Sequence, residues 1–138
     1  MSRVIAIDGP SASGKSTVAR IVAGKIGWHY VDSGSLYRGV TWLALERGIA
    51  CKDTVAVGKL AAGMEMEFAV REGAVCFTVE GKDPGDATRA LRINENVSLV
   101  AAVPEVRRRV VGWLRGMAKL GNLVMEGRDI GTAVFPGA

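Results

Sequence analysis

The sequence predicts an α/β fold: a parallel sheet flanked by helices, interrupted by a small insert built around a β-hairpin. Three observations predict it. Short apolar runs recur at residues 4–7, 28–31 and 123–125, each ending in a polar or glycine turn, as buried parallel strands do. Stretches between them carry apolar residues at three- and four-residue spacing, the period of an amphipathic helix. A middle segment changes to a period of two, the signature of a hairpin with one buried face.

Taken in order, Val4-Ile5-Ala6-Ile7 reads as a buried strand running into Asp8-Gly9. From Lys15 the pattern is helical, with Val18, Ile21, Val22 and Ile26 on one stripe and Gly27 as its stop. Trp28-His29-Tyr30-Val31 is a second strand, and a helix follows from about Ser35 to Glu46 with Leu36, Val40, Leu43 and Ala44 on its apolar face. Met64, Met66, Phe68 and Val70, then Val75, Phe77 and Val79, alternate across the Glu72-Gly73 turn. Residues near 89–102 are helical. Pro104 opens another helix at its first position, placing Val106, Val110, Leu114 and Met117 on one stripe that stops at Gly121. Leu123-Val124-Met125 is a third buried strand, ending in Glu126-Gly127-Arg128-Asp129. This organisation predicts one domain over 1–138, with a core of about 1–60 and 104–138 and an insert of about 61–103.

With 138 residues, 49% hydrophobic and 23% charged, the chain is large enough to bury a core and too apolar for disorder. No apolar run reaches membrane-spanning length and the N-terminus lacks a signal-like cleavage site, so a cytoplasmic setting without membrane is expected. A net charge of +4 suits anionic ligands without calling for nucleic acid. Cys51 and Cys76 lie far apart, and His29 is the single histidine, so no metal cluster is expected from them. Trp28, Trp42 and Trp113 read as core or half-buried anchors.

Gly9-Pro10-Ser11-Ala12-Ser13-Gly14-Lys15-Ser16-Thr17 carries the pattern GxxxxGKS between a strand and a helix, the context that gives this motif its meaning. Small residues let backbone N–H groups curl around phosphate oxygens, and the helix N-terminus adds unpaired donors and a favourable dipole. Lys15 would bridge the β- and γ-phosphates of ATP, and the Ser16 hydroxyl would ligate Mg²⁺. The fold is thereby P-loop NTPase-like. No base-reading NKxD of a GTPase is present, nor the apolar run ending in Asp-Glu of many ATPases, which favours a small kinase. Asp32-Ser33-Gly34-Ser35-Leu36-Tyr37-Arg38 follows the second strand, and Arg38 can grip a phosphate bidentately. Arg128 stands at the third strand's end, and carboxyl ends of parallel strands converge on a ligand crevice.

Together these segments resemble bacterial cytidylate kinase, whose pattern runs IDGPxxSGKST, DTGxxYR, a hairpin insert, VSxVAxxPxVR and DGRDIGTxVFP. The counterparts are residues 7–17, 32–38, the hairpin at 64–80, 97–107 and 126–136. The resemblance implies transfer of the γ-phosphoryl group of ATP to CMP or dCMP, with Mg²⁺, and makes the insert the acceptor-binding part. It implies that Ser33, Tyr37, Arg38 and Arg128 lie around the acceptor phosphate with Asp32 and Gly34 beside them. It places Ser98, Arg107 and Asp129 on the cytosine, where a carboxylate accepts from the exocyclic amine and repels uracil's carbonyl. Lys15, Arg38 and Arg128 are the expected catalytic cations. Of the triplet Arg107-Arg108-Arg109, only Arg107 falls on the motif; Arg108 and Arg109 read as a solvated basic face. A small-molecule acceptor, no nucleic acid partner and a monomeric state are expected.

The family pattern continues into a further core strand, a lid and a last helix that the 138 residues do not supply. A nucleotide-binding fragment with little turnover is therefore an alternative, as is a P-loop kinase for another small acceptor such as AMP or shikimate. Glu126 stands where Asp is usual and Ser33 where Thr is frequent; Glu126 is left outside the assigned site.

Overall fold

The computed structural model describes residues 2–9, 14–128 and 130–137. In chain order the elements are β1 (Val4–Asp8), α1 (Lys15–Ile26), β2 (His29–Asp32), α2 (Gly34–Glu46), α3 (Thr54–Gly63), β3 (Met66–Arg71) and β4 (Ala74–Val79). A 3-10 turn (Gly85–Arg89), α4 (Leu91–Ala101), α5 (Pro104–Gly116), a second 3-10 turn (Met117–Leu120), β5 (Leu123–Gly127) and a π-helical turn (Ile130–Val134) complete it. They group into two units: residues 1–34, 68–76 and 113–138, and residues 35–67 and 77–112.

The strands form a five-stranded sheet in the order β1-β5-β2-β4-β3, with β1, β5 and β2 wholly in the first unit. This is the α/β sheet that the sequence predicts. β1, β5 and β2 run parallel, with Asp8 opposite Gly127 and Asp32 opposite Glu126. β5 has a hydrogen-bonded neighbour on each side and all five of its residues are buried. β1, expected to be equally buried, has one neighbour, and its apolar residues are half-buried.

α1 covers Tyr30 and Val124 through Ala19 and Ala23, with Val22 and Trp28 packed alongside. The expected stripe is turned away: Val18 and Ile21 are 52% exposed and Ile26 is 44% exposed. The helical period is right but the buried face is shifted by about one residue, roughly 100° of helix. Alanines on that face leave room for the ring of Tyr30, over which the Arg20 guanidinium sits 4.6 Å from the centroid.

In the second unit α2 buries Leu36, Val40, Leu43 and Ala44, as its periodicity requires. Gly39 is there for space: a Cβ at that position would stand 2.7 Å from the Met66 methyl group and 2.9 Å from the Phe77 ring. α3 escapes the sequence reading. Its run Thr54-Val55-Ala56-Val57-Gly58 is rich in β-branched residues and glycine, poor helix formers, and packing overrides that preference. The Asp53 carboxylate caps it, accepting from the Ala56 N–H at 3.1 Å, and Val57, Leu60 and Ala61 are buried. α5 begins at Pro104, and Val106, Val110, Leu114 and Met117 are all buried. Arg109 departs from the expected solvated face: it is half-buried and donates to the Met64 carbonyl at the end of α3.

Candidate functional site

The register of the first unit brings three strand ends level with one another. Beyond the strands the ladder continues, the Gly9 N–H donating to the Gly127 carbonyl and the Ser33 N–H to the Glu126 carbonyl, each at 3.1 Å. Asp8-Gly9, Asp32-Ser33 and Glu126-Gly127-Arg128 therefore emerge side by side.

Gly14 takes a left-handed conformation (φ 82°) that other residues adopt reluctantly, and Lys15 starts α1 directly after it. The first turn of α1 holds no acidic residue, so its amide donors and the positive end of the dipole favour an anion. Lys15 is half-buried, while Ser16 and Thr17 are exposed. Pro10, Ser11, Ala12 and Ser13, assigned to the same loop, and Asp129, assigned to the base, lie outside the described residues.

The Ser16 hydroxyl donates to Oε2 of Glu126 at 2.7 Å. Glu126, left outside the assigned site on its residue type, is 3% exposed and joins the candidate site through this contact. Its signal is positional: it precedes Gly127-Arg128 at the end of a buried strand, where a carboxylate has no packing reason to be. A hydroxyl and a carboxylate joined in this way are hard oxygen donors, the set that Mg²⁺ prefers. On that chemistry, Ser16 and Glu126 fit a divalent cation.

Ser33 is 4% exposed, and a Cβ on Gly127 would come within 1.9 Å of its Oγ, so the close approach of β5 to the β2 turn depends on glycine there. Asp8 fixes the π-helical turn after β5: its carboxylate accepts from the N–H groups of Ile130 and Gly131 at 2.6 and 2.9 Å. Arg128 is exposed at the same end of the sheet. Beneath α1, Tyr30 is pushed up to about 12 by burial first, then by the charges of Asp32 and Glu126, with Arg20 and the Ser16 hydroxyl pulling the other way.

A cavity of about 420 Å³ opens at the amino end of β2, lined by Arg20, Trp28, His29, Tyr30 and Glu72 among others. None of the residues assigned to the nucleotides lines it.

The second unit carries Tyr37 and Arg38 on α2, both half-buried, Ser98 on α4 and Arg107 on α5, both exposed. Arg38 is brought against Asn94 and the Thr88 carbonyl. Arg108 is exposed and pairs with Glu105 at 3.6 Å, in keeping with its reading as a surface charge. Among the described residues no cluster of three or more His, Cys, Asp or Glu could hold a metal, and no helix is long and apolar enough to cross a membrane.

A family model described as cytidylate kinase matches residues 5–138. The chain is 45% identical over 134 residues to a cytidylate kinase of Limosilactobacillus fermentum, a match covering 97% of the chain and 59% of that relative. It is 43% identical to a cytidylate kinase of Pelotomaculum thermopropionicum, covering 97% and 60%. It is 44% identical to a bifunctional pantoate ligase/cytidylate kinase of a Synechococcus species, covering 100% and 28%. The chain thus spans about three-fifths of the length of the two cytidylate kinases.

Proposed function

The chain belongs to the cytidylate kinase family, and from that premise we propose that it binds ATP and CMP or dCMP and moves the γ-phosphoryl group between them, giving CDP or dCDP and ADP. The observation that carries this reading is the Ser16–Glu126 hydrogen bond, made where the GKS segment opens α1 beside aligned strand ends.

Backbone amides at the start of α1 would hold the triphosphate, and the Lys15 ammonium would lie on its β- and γ-oxygens. Ser16 and Glu126 would hold Mg²⁺, which when bound supplies charge neutralisation on the phosphate oxygens. Ser33, Tyr37, Arg38 and Arg128 serve the acceptor phosphate, with Asp32 and Gly34 beside them in the substrate-binding set. Ser98, Arg107 and Asp129 read the cytosine: Asp129 accepts from the exocyclic amine, while the serine and arginine donate to ring acceptors. Uracil in that place leaves the carboxylate facing a carbonyl, an unpaired arrangement that discriminates by several powers of ten. The reaction needs no protein nucleophile. Arginine and lysine lower the repulsion between two anions and align them for in-line transfer.

The test is product analysis on the full 138-residue chain with ATP, Mg²⁺ and a panel of CMP, dCMP, UMP, AMP and shikimate. CDP and dCDP are the expected products. AMP or shikimate outrunning CMP would mean that the base-reading residues are misassigned, and undetectable CDP with intact binding of both nucleotides would restrict the chain to nucleotide binding.

A further inference from the structure

Within the second unit, Arg38 is already held. Its Nη1 donates to the side-chain carbonyl of Asn94 and, at 3.3 Å, to the backbone carbonyl of Thr88. Both acceptors belong to residues held by other hydrogen bonds. The Thr88 hydroxyl is tied to the Gly85 carbonyl at 3.0 Å within the 3-10 turn, and the Asn94 N–H donates to the Ala90 carbonyl at 3.2 Å. Ile93, next to Asn94 in the first turn of α4, is fully buried and anchors that turn.

The chemistry of the guanidinium gives this contact a consequence. Nη1 carries two hydrogens, and two acceptors spend both. What remains is the edge formed by Nε–H and Nη2–H, a parallel pair of donors that matches two oxygens of a phosphate. The amide of Asn94 is also a neutral acceptor. It orients the guanidinium without cancelling the positive charge, which a carboxylate at the same place would do. A long side chain ordered beforehand loses less freedom when the anion arrives.

We propose that Asn94 is a positioning residue for the acceptor phosphate: by holding Nη1 of Arg38 it presents the opposite edge of the guanidinium for bidentate contact. The proposal deepens the reading of Arg38 as a phosphate-gripping residue and rests on it. Asn94 touches no substrate in this role; it acts through Arg38.

The experiment is an NMR titration of the full chain with CMP and, separately, with cytidine, which offers the same base and sugar without the phosphate. Asn94→Ala is expected to weaken CMP roughly five-fold and to leave cytidine unchanged. Asn94 is exposed and alanine favours helix, so the variant keeps its fold, checked by an unchanged melting curve. In an Arg38→Ala background the same substitution is expected to have no further effect on CMP. Equal losses for CMP and cytidine would assign Asn94 a merely structural part and overturn the proposal. Loss of CMP affinity in Arg38→Ala with none in Asn94→Ala overturns it while leaving Arg38 on the phosphate. Unchanged CMP affinity in Arg38→Ala, or a wild-type chain that binds no CMP, overturns the acceptor reading itself and the proposal with it.

Discussion

The Ser16 hydroxyl lies 2.7 Å from Oε2 of Glu126, tying the first turn of α1 to the buried end of β5. Sixteen residues into the chain and twelve from its end, two oxygen donors meet because β1 and β5 are neighbours in register. Glu126→Gln keeps the shape and removes the charge. Because a carboxylate that orients or joins a metal's ligands is worth ~10- to 100-fold in metal affinity, the Mg²⁺ dependence of ATP binding is expected to shift upward by that order. Titrating Mg²⁺ at fixed ATP measures it, and an unmoved midpoint would separate Glu126 from the cation.

Lys15 and Arg108 provide a contrast between a cation proposed to act on phosphate and a surface one. Lys15→Ala removes the charge proposed for the β- and γ-phosphates, and phosphoryl transfer is expected to fall by ~10²-fold or more. Arg108→Ala breaks an exposed pair with Glu105, a kind of contact worth ~0–1 kcal/mol, and transfer is expected to stay within about two-fold of wild type. Steady-state ADP release on both variants decides the matter; similar losses would refute the division.

Gly127 and Gly112 separate a glycine required by its surroundings from one that is not. An alanine methyl at 127 would meet Ser33 Oγ at 1.9 Å and Ser33 Cβ at 3.1 Å, on backbone at φ +157°. Gly127→Ala is expected to cost ~1–3 kcal/mol, seen as a lower urea midpoint. At Gly112, inside α5, nothing lies within 4 Å, so Gly112→Ala is expected to stabilise by ~0.4–1 kcal/mol.

Tyr30 links the core to alkaline stability. Its phenol is raised from 10.0 to about 12 in the folded chain, burial being the largest cause. The sign is set by which state holds the proton: between those values the unfolded chain has lost it and the native chain keeps it, so stability falls as pH rises. The contribution is whole below pH 10 and lost by about pH 12, in all ~2–3 kcal/mol. Unfolding measured from pH 9 to 12 should show the decline in wild type, and Tyr30→Phe should flatten it.

Much of the fold and part of the site are legible in the chain itself. The GxxxxGKS spacing, the glycine stops and the period of α2 and α5 are local signals, since cap chemistry and amphipathic spacing act within a few residues. α3 is not legible, because Val55, Val57 and Gly58 are poor helix formers and only burial of Val57, Leu60 and Ala61 makes them helical. The face of α1 is misread for a related reason. Larger side chains mark Val18, Ile21 and Ile26 as core, whereas a helix lying over Tyr30 needs the small ones, Ala19 and Ala23.

The sequence by itself determined that a GxxxxGKS segment leads into α1 and that Arg38 and Arg128 follow strand ends, because those features are matters of residue type and short spacing. The tertiary structure alone decided that Glu126 serves Ser16 across 110 residues and that Asn94 holds Arg38 across 56. Such pairings follow from strand register and helix placement. A linear pattern does not carry that information, because the free energy that selects it comes from burial and hydrogen bonding between distant segments.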